Sequence, residues 1–231
     1  MTTSPIAAMF DRISTKYDAL NHLLSLNIDK TWRRKAAKEV AKSQPTNILD
    51  LATGTADLAI ALANHNPQAH VIGMDISEKM LDIGKAKVEK EGLAKQIELR
   101  YGNASALPFE DNAFDAVTVA FGVRNFEDLD KGLSEISRVL KSNGEAVILE
   151  FSMPERFPIK QLYFLYFKHI LPIIGRIVSK DKAAYTYLPD SVERFPKPED
   201  FRDLLSSKGL GNCHMKRLSL GIATVYAVHK A

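Results

Sequence analysis

The stretch Asn47-Ile48-Leu49-Asp50-Leu51-Ala52-Thr53-Gly54-Thr55-Ala56-Asp57-Leu58 is the one on which the reading of this chain turns. An apolar run of strand length ends on a turn of small residues with one glycine, and an apolar-periodic segment, residues 58–63, follows at once. The pattern predicts a strand, a tight loop and a helix. Gly54 and the small hydroxyl residues beside it let the backbone come close to a ligand. The helix beyond presents unpaired N–H groups and the positive end of its dipole, so the join is a ligand cradle.

Outward from the cradle the alternation repeats. A helix over residues 56–65 breaks near Asn66-Pro67, and residues 71–75 read as a second buried strand. Ser77 caps a helix whose apolar side holds Met80, Leu81, Gly84 and Val88. Residues 96–101, 114–121 and 146–151 read as strands three, four and five. Asp128 or Asp130 caps the helix before strand five, which carries Leu129, Leu133, Ile136, Val139 and Leu140 and ends at Asn143-Gly144. Residues 213–218 and 222–229 read as a closing antiparallel pair after a helix over 199–205. Strand–helix alternation with short turns predicts an α/β, doubly wound, mostly parallel sheet. Ligands of such sheets bind beyond the carboxyl ends of the strands, where the loops at 53–57, Asp75, Asn103-Ala104 and 120–125 should converge.

The 231 residues, 45% of them hydrophobic, read as one domain with elaborations. Residues 1–43 form a helical extension, 44–153 the core, 154–197 an inserted helical lid, and 198–231 the last helix and closing strands. In the extension Tyr17, Asn21 and Leu24 share a face that either roofs a pocket or packs as core. The lid is greasy and basic: Phe157, Ile159, Leu162 to Phe167, Ile170, Leu171, Ile173, Ile174, Ile177 and Val178 crowd it, and no acidic residue lies between Arg156 and Lys180. Lys160, Lys168, Pro172 and Arg176 argue against a transmembrane helix. A lipophilic substrate pocket with contact to an anionic membrane surface is one reading; ordinary packing and a solvated basic face are the other.

A single cysteine, Cys213, excludes a disulfide framework and a multi-thiolate zinc site. His22, His65, His70, His169, His214 and His229 show no paired ligand spacing, so no metal is expected. With no signal-like start and no apolar span, a cytoplasmic location is expected, with peripheral contact at the inner face of the cytoplasmic membrane. A net charge of +3 is too small for a nucleic-acid coat, and the strands read as buried rather than as stacking platforms, so no nucleic-acid partner is expected.

Asp75 ends strand two about 20 residues after the glycine turn, where a carboxylate can accept both hydrogen bonds of a ribose diol. A dinucleotide would ask for three glycines to seat its pyrophosphate, and this loop has only Gly54, with Asp57 in the first helical turn. Asp57 would repel a pyrophosphate but suits an ammonium group, or simply the helix N-terminus. The cofactor should carry a nucleoside and a cationic end without phosphates, as S-adenosylmethionine does.

Beyond the cradle, the chain carries Phe10-Asp11, Lys16-Tyr17-Asp18, Gly73-Met74-Asp75-Ile76-Ser77, Leu107-Pro108-Phe109, Phe121-Gly122-Val123-Arg124-Asn125, Arg138-Val139-Leu140-Lys141 and Leu149-Glu150-Phe151-Ser152. In these motifs it resembles the class I S-adenosylmethionine-dependent methyltransferases, and more closely the ubiquinone/menaquinone biosynthesis C-methyltransferases, along nearly its whole length. The resemblance implies a Rossmann-like seven-stranded sheet and C-methylation of a polyprenylated quinol, most simply demethylmenaquinol to menaquinol. A benzoquinol or another small-molecule or lipid acceptor is the alternative. It further implies that Thr55, Asp75, Asn103, Ala104 and Ala120 contact the cofactor beside Gly54 and Asp57. Arg124 and Asn125 would position the quinol oxygens, Arg124 favouring a phenolate. Tyr17, Asp18, His169 and Tyr187 are conceivable proton acceptors, and a homo-oligomer stays open. Where the family has a lysine, a proline and two glycines, this chain has Lys141-Ser142-Asn143-Gly144.

Overall fold

The computed structural model describes residues 4–166 and 182–231. Its sheet runs in the order β3-β2-β1-β4-β5-β7-β6, from β1 (Asn47–Leu51), β2 (His70–Asp75), β3 (Ile97–Tyr101), β4 (Phe114–Ala120), β5 (Leu140–Phe151), β6 (Leu210–Leu218) and β7 (Ala223–Lys230). The first five strands pair in parallel, and β7 lies antiparallel between β5 and β6. The doubly wound architecture and the closing pair are both as expected. The helices of the described residues are α1 (Pro5–Leu24), α2 (Ile28–Val40), α3 (Asp57–His65), α4 (Glu78–Lys90), α5 (Leu129–Val139), α6 (Ile159–Leu165), α7 (Lys182–Arg194) and α8 (Pro198–Ser207).

Period-two alternation along each strand sorts side chains into two cores. Ile48 packs in one layer with Trp32, Ala36 and Val40 of α2 and Leu58 and Leu62 of α3. Its neighbours Leu49 and Leu51 pack in the other, with Leu133, Ile136 and Val139 of α5 and Phe201 and Leu205 of α8. Each such fully buried aliphatic side chain contributes about 1.5–3 kcal/mol by leaving water. The sheet is therefore held from both faces, and its strand ends are fixed enough to carry a site.

Local chemistry moves several boundaries. The helical extension over 6–42 divides into α1 and α2 at residues 25–27, where Leu26 and Asn27 take φ values of 51° and 61° that a right-handed helix excludes. Ala56, at φ 67°, delays α3 to Asp57. Ser77 caps α4 by accepting from the Met80 N–H, and Asp128, rather than Asp130, caps α5 by accepting from Lys131. Asn143-Gly144 does not end α5. That helix stops at Val139 because Leu140 turns extended and pairs with Phe114, and residues 141–144 form a bulge inside β5.

The lid region contributes α6 and α7 to the described residues, and the Tyr166 hydroxyl donates to the Leu24 carbonyl at 2.8 Å, joining lid to extension. Its expected apolar residues Phe167, Ile170, Leu171, Ile173, Ile174, Ile177 and Val178, with Lys168, His169, Pro172 and Arg176, lie outside the described residues.

Candidate active site

The sheet order reverses between β1 and β4, so the loops after these strands part and leave a crevice. On one side is the cradle, and its left-handed backbone is not confined to Gly54 (φ 56°): Ala52 (φ 51°) and Ala56 (φ 67°) adopt it as well. On the other side Phe121 turns out of β4 at φ 58°, an outlier for an aromatic residue. The two loops nearly touch. A Cβ added to Gly122 would lie 2.4 Å from the Ala52 Cβ.

Asp75 sits at the centre of this crevice. Its Oδ2 accepts from the Gly54 N–H and its Oδ1 from the Ser77 N–H, each at 2.8 Å. Burial pushes its carboxyl up to about 6 against those bonds. The Ile76 N–H also acts on this carboxyl, which still has acceptor capacity left for a diol. The pocket it lines continues past Gly54, Ala120 and Asn125 to Asn103, Ala104, Phe126 and Glu127. There the Asn103 Oδ1 accepts from the Ser105 N–H at 2.8 Å and its Nδ2 donates to Glu127 at 3.3 Å. An acidic bridge beside a polar-edged slot fits a nucleoside, and the single cradle glycine leaves no seat for a pyrophosphate.

Behind Ala52, Gly54 and Ala120 a smaller recess is lined by Tyr17, Arg33, Asp50, Thr53, Thr55 and Asp57. Asp50 is fully engaged, accepting from Thr53 Oγ1 at 2.6 Å and Thr118 Oγ1 at 2.7 Å, and burial lifts its carboxyl to about 6. Thr55 donates its hydroxyl to Asp18 at 2.6 Å. Asp57, read as suiting an ammonium group or the helix N-terminus, stands in the first turn of α3 and ion-pairs with Lys87 of α4, which also reaches Asp18 at 2.9 Å. His22 Nε2 stands 3.9 Å from Asp57 while its Nδ1 bonds Asp29 at 2.9 Å. His22, Asp29 and Asp57 thus cluster although their spacing shows no metal pattern, and Lys87 and Arg33 already neutralise the two carboxylates. The cluster latches the extension onto the cradle. A second tie is the Ser77 hydroxyl, which donates to Asp11 at 2.5 Å, so Phe10-Asp11 is a docking element.

Tyr17, Phe10 and Phe121 open from the polar pocket onto an apolar cavity of about 780 Å³ under α1, α2 and the lid. Its aromatic side is built from Phe121 and Phe151, ring centroids 4.4 Å apart, and Trp32, 6.0 Å from Phe121. Arg33 lies over the Phe121 ring at 5.2 Å and Arg124 over the Phe151 ring at 5.3 Å. Arg124 is tightly held: Nη1 donates to Glu150 at 2.7 Å and to the Phe121 carbonyl at 2.5 Å, and Nε to Ser191 at 3.2 Å; among the described residues Nη2 has no partner. Asn125 lines the polar pocket, not the apolar one, and its Oδ1 accepts from Tyr187 of α7 at 2.8 Å. Burial raises both Tyr17 and Tyr187 above the ordinary tyrosine range, so near neutral pH they are protonated donors. Asp18 lies under Thr55 and Lys87, away from the apolar cavity.

Residues 2–230 match the ubiE/COQ5 methyltransferase family. The chain belongs to that family. It is 48% identical over 225 residues to a demethylmenaquinone methyltransferase of Bacteroides fragilis, covering 97% of this chain and 92% of the relative. It is 45% identical over 226 residues to a ubiquinone/menaquinone biosynthesis C-methyltransferase of Geotalea uraniireducens, covering 97% and 96%. Among solved structures, a SAM-dependent methyltransferase of Thermotoga maritima superposes with a TM-score of 0.65 at 17% identity, covering 97% of this chain and 99% of that one, a likeness of fold. This ubiE/COQ5 methyltransferase therefore presents the expected fold; Gly54, Asp75, Asn103, Ala104 and Ala120 line the polar pocket, and Thr55 and Asp57 line the recess behind it. The sequence reading missed Arg33, Lys87, Glu127 and Glu150 as site residues. Only Glu150 had a local signal, a lone charge in the apolar strand Ala146 to Phe151.

Proposed function

We propose that this chain methylates a ring carbon of a polyprenylated quinol with S-adenosylmethionine as donor, most directly converting demethylmenaquinol to menaquinol. The observation that carries this reading is the junction at Tyr17 and Phe121, where a nucleoside-sized polar pocket meets a large apolar cavity. The names of the relatives agree with it. A cavity of about 780 Å³ lies within the range for a ring-sized ligand with part of a tail.

Bound S-adenosylmethionine supplies a methyl group on a cationic sulfur. In this reading Asp75 takes the ribose hydroxyls, Asn103 and Ala104 edge the base, and Gly54, Thr55, Asp57 and Ala120 shape the recess behind the cradle. Arg124 Nη2 takes a quinol oxygen and favours its deprotonated form, with Glu150 holding the guanidinium in place. Asn125 acts through Tyr187, aligning its hydroxyl over the cavity. The apolar walls exclude water and fix the ring, and holding reactants in line is worth up to roughly 7–11 kcal/mol. A phenolate held against the cationic donor would lose charge as the methyl passed from sulfur to the ring carbon, leaving S-adenosylhomocysteine and releasing the ring proton, so a dry cavity would not oppose the transfer.

The cavity mouth supports a membrane contact. Leu23, Leu26, Ile28, Leu162 and Leu220 line the cavity yet are 51%, 77%, 41%, 59% and 74% exposed. An apolar rim around a lipophilic cavity suits a protein resting on the cytoplasmic face of a bilayer and drawing a prenylated ring from it. No helix among the described residues is long and apolar enough to cross a membrane. In the same reading residues 1–43 and 154–197 are the two covers of one catalytic domain.

The test is incubation with methyl-labelled S-adenosylmethionine and short-chain demethylmenaquinol or the corresponding benzoquinol, with the label located by NMR. Label on a naphthoquinol ring carbon is the expected result. Label on oxygen, or only on unrelated acceptors, would overturn the reading. Sedimentation with anionic vesicles, reduced in Leu26→Asp and Leu220→Asp, tests the mouth.

A further inference from the structure

We infer that Arg33 binds the carboxylate of the cofactor's methionine portion, an inference that rests on the assignment of S-adenosylmethionine to the crevice. Arg33 projects from α2 into the recess behind the cradle with its side chain only 9% exposed. One nitrogen is spent: Nη1 donates to Asp29 Oδ2 at 2.5 Å. Among the described residues Nε and Nη2 have no hydrogen-bond partner, and neither atom is sealed from solvent, so both donors stay available to a ligand. Those two nitrogens form the side of the fork that matches the two oxygens of a carboxylate.

The neighbours leave this role to Arg33. Asp50 accepts from two threonines, Asp57 is paired with Lys87, and Thr55 donates to Asp18. Among the described side chains lining the recess, Arg33 is the cation with donors to spare. Its position is set before any ligand arrives, by the Asp29 pair on one side and the face of Phe121, 5.2 Å from the guanidinium carbon, on the other. Asp29 itself is tied by Ser25 at 2.6 Å and His22 at 2.9 Å, so the latch between extension and cradle also aims Arg33. Because Arg33 lines the apolar cavity too, its pairing with the cofactor would close the wall between the two compartments.

The test compares two ligands by calorimetry on the full chain: S-adenosylhomocysteine, which carries the carboxylate, and 5′-methylthioadenosine, which lacks the amino-acid end. For Arg33→Met we expect about a 10- to 100-fold loss of affinity for the first and less than a threefold change for the second. Equal loss of both, or loss of neither, would overturn the inference and leave the cofactor assignment standing. Failure of the wild type to bind either ligand would overturn the assignment and the inference together. Should Arg33→Met not fold, the wild type decides alone: a decarboxylated analogue of S-adenosylhomocysteine that keeps its amine should bind at least tenfold more weakly than the parent, and equal binding would overturn the inference.

Discussion

Arg124 Nη1 and Glu150 Oε1 are 2.7 Å apart, in side chains 7% and 0% exposed, so the loop after β4 is pinned to β5 by a buried ion pair. Burial raises the Glu150 carboxyl, and Arg124 pulls it back down. Breaking a pair of this kind leaves one charge buried and uncompensated. Glu150→Gln should cost about 3–5 kcal/mol in chemical denaturation. It should also lower quinol turnover more than cofactor affinity, because Arg124 lines the apolar cavity. A change under 1 kcal/mol would show that Arg124 finds other partners.

Asp75 predicts a pH dependence of cofactor binding. Its carboxyl titrates near about 6 because burial raises it, and the ribose hydroxyls need an acceptor. Affinity for S-adenosylmethionine should therefore fall as pH drops through about 6. Stability of the ligand-free protein moves the other way. A raised carboxyl contributes most below its ordinary 3.8, and that contribution is lost as pH rises through about 6. Calorimetry between pH 5 and 8 on wild type and Asp75→Asn checks this, since the variant should bind weakly with a flatter profile. Any slope that remains would report Asp50, which titrates in the same range.

Gly122 allows the two loops of the crevice to touch. In Gly122→Ala the new Cβ would meet the Ala52 Cβ at 2.4 Å, and neither atom can rotate away. The backbone must shift, at a cost of about 1–3 kcal/mol. Cofactor affinity should fall with it, because both loops line the nucleoside pocket. Gly211→Ala, where nothing lies within 4 Å, serves as the control and should leave cofactor affinity unchanged.

Asp115 lies at the far, amino-terminal edge of the sheet and predicts acid sensitivity without a catalytic role. Although burial opposes it, bonds from Lys141 at 2.6 Å, Thr46 Oγ1 at 2.8 Å and the Asn47 and Thr46 N–H groups bring its carboxyl down to about 2. A depressed carboxyl stabilises the fold above its ordinary 3.8, and that share is lost as pH falls toward about 2. Asp115→Asn should thus melt lower than wild type at pH 7, with the gap closing near pH 2 and methyl transfer unaffected.

The strand-turn-helix at Asn47 to Leu58, the Asp75 strand end and the Ser77 cap were readable in the chain because their causes are local: periodicity, one glycine, and a side chain within three residues of the N–H it satisfies; for α5 the chain offered Asp128 and Asp130 alike, and the fold uses Asp128. The end of α5 at Leu140 was not readable, since pairing with a distant strand decides it. The same contrast holds in the crevice. Asp75, Asn103, Ala104 and Ala120 follow from topology, because any residue just past a strand's carboxyl end in this sheet reaches the switch point. The fates of Asp57 and Arg33 depend on Lys87 and Asp29, partners on other helices, and charge pairing acts through space. Sequence alone was enough for the sheet, the strand-turn-helix of the cradle and the family. Tertiary packing decided which charges are already spent on one another, which donors are left for a ligand, and that an apolar cavity opens onto the cradle at Tyr17 and Phe121.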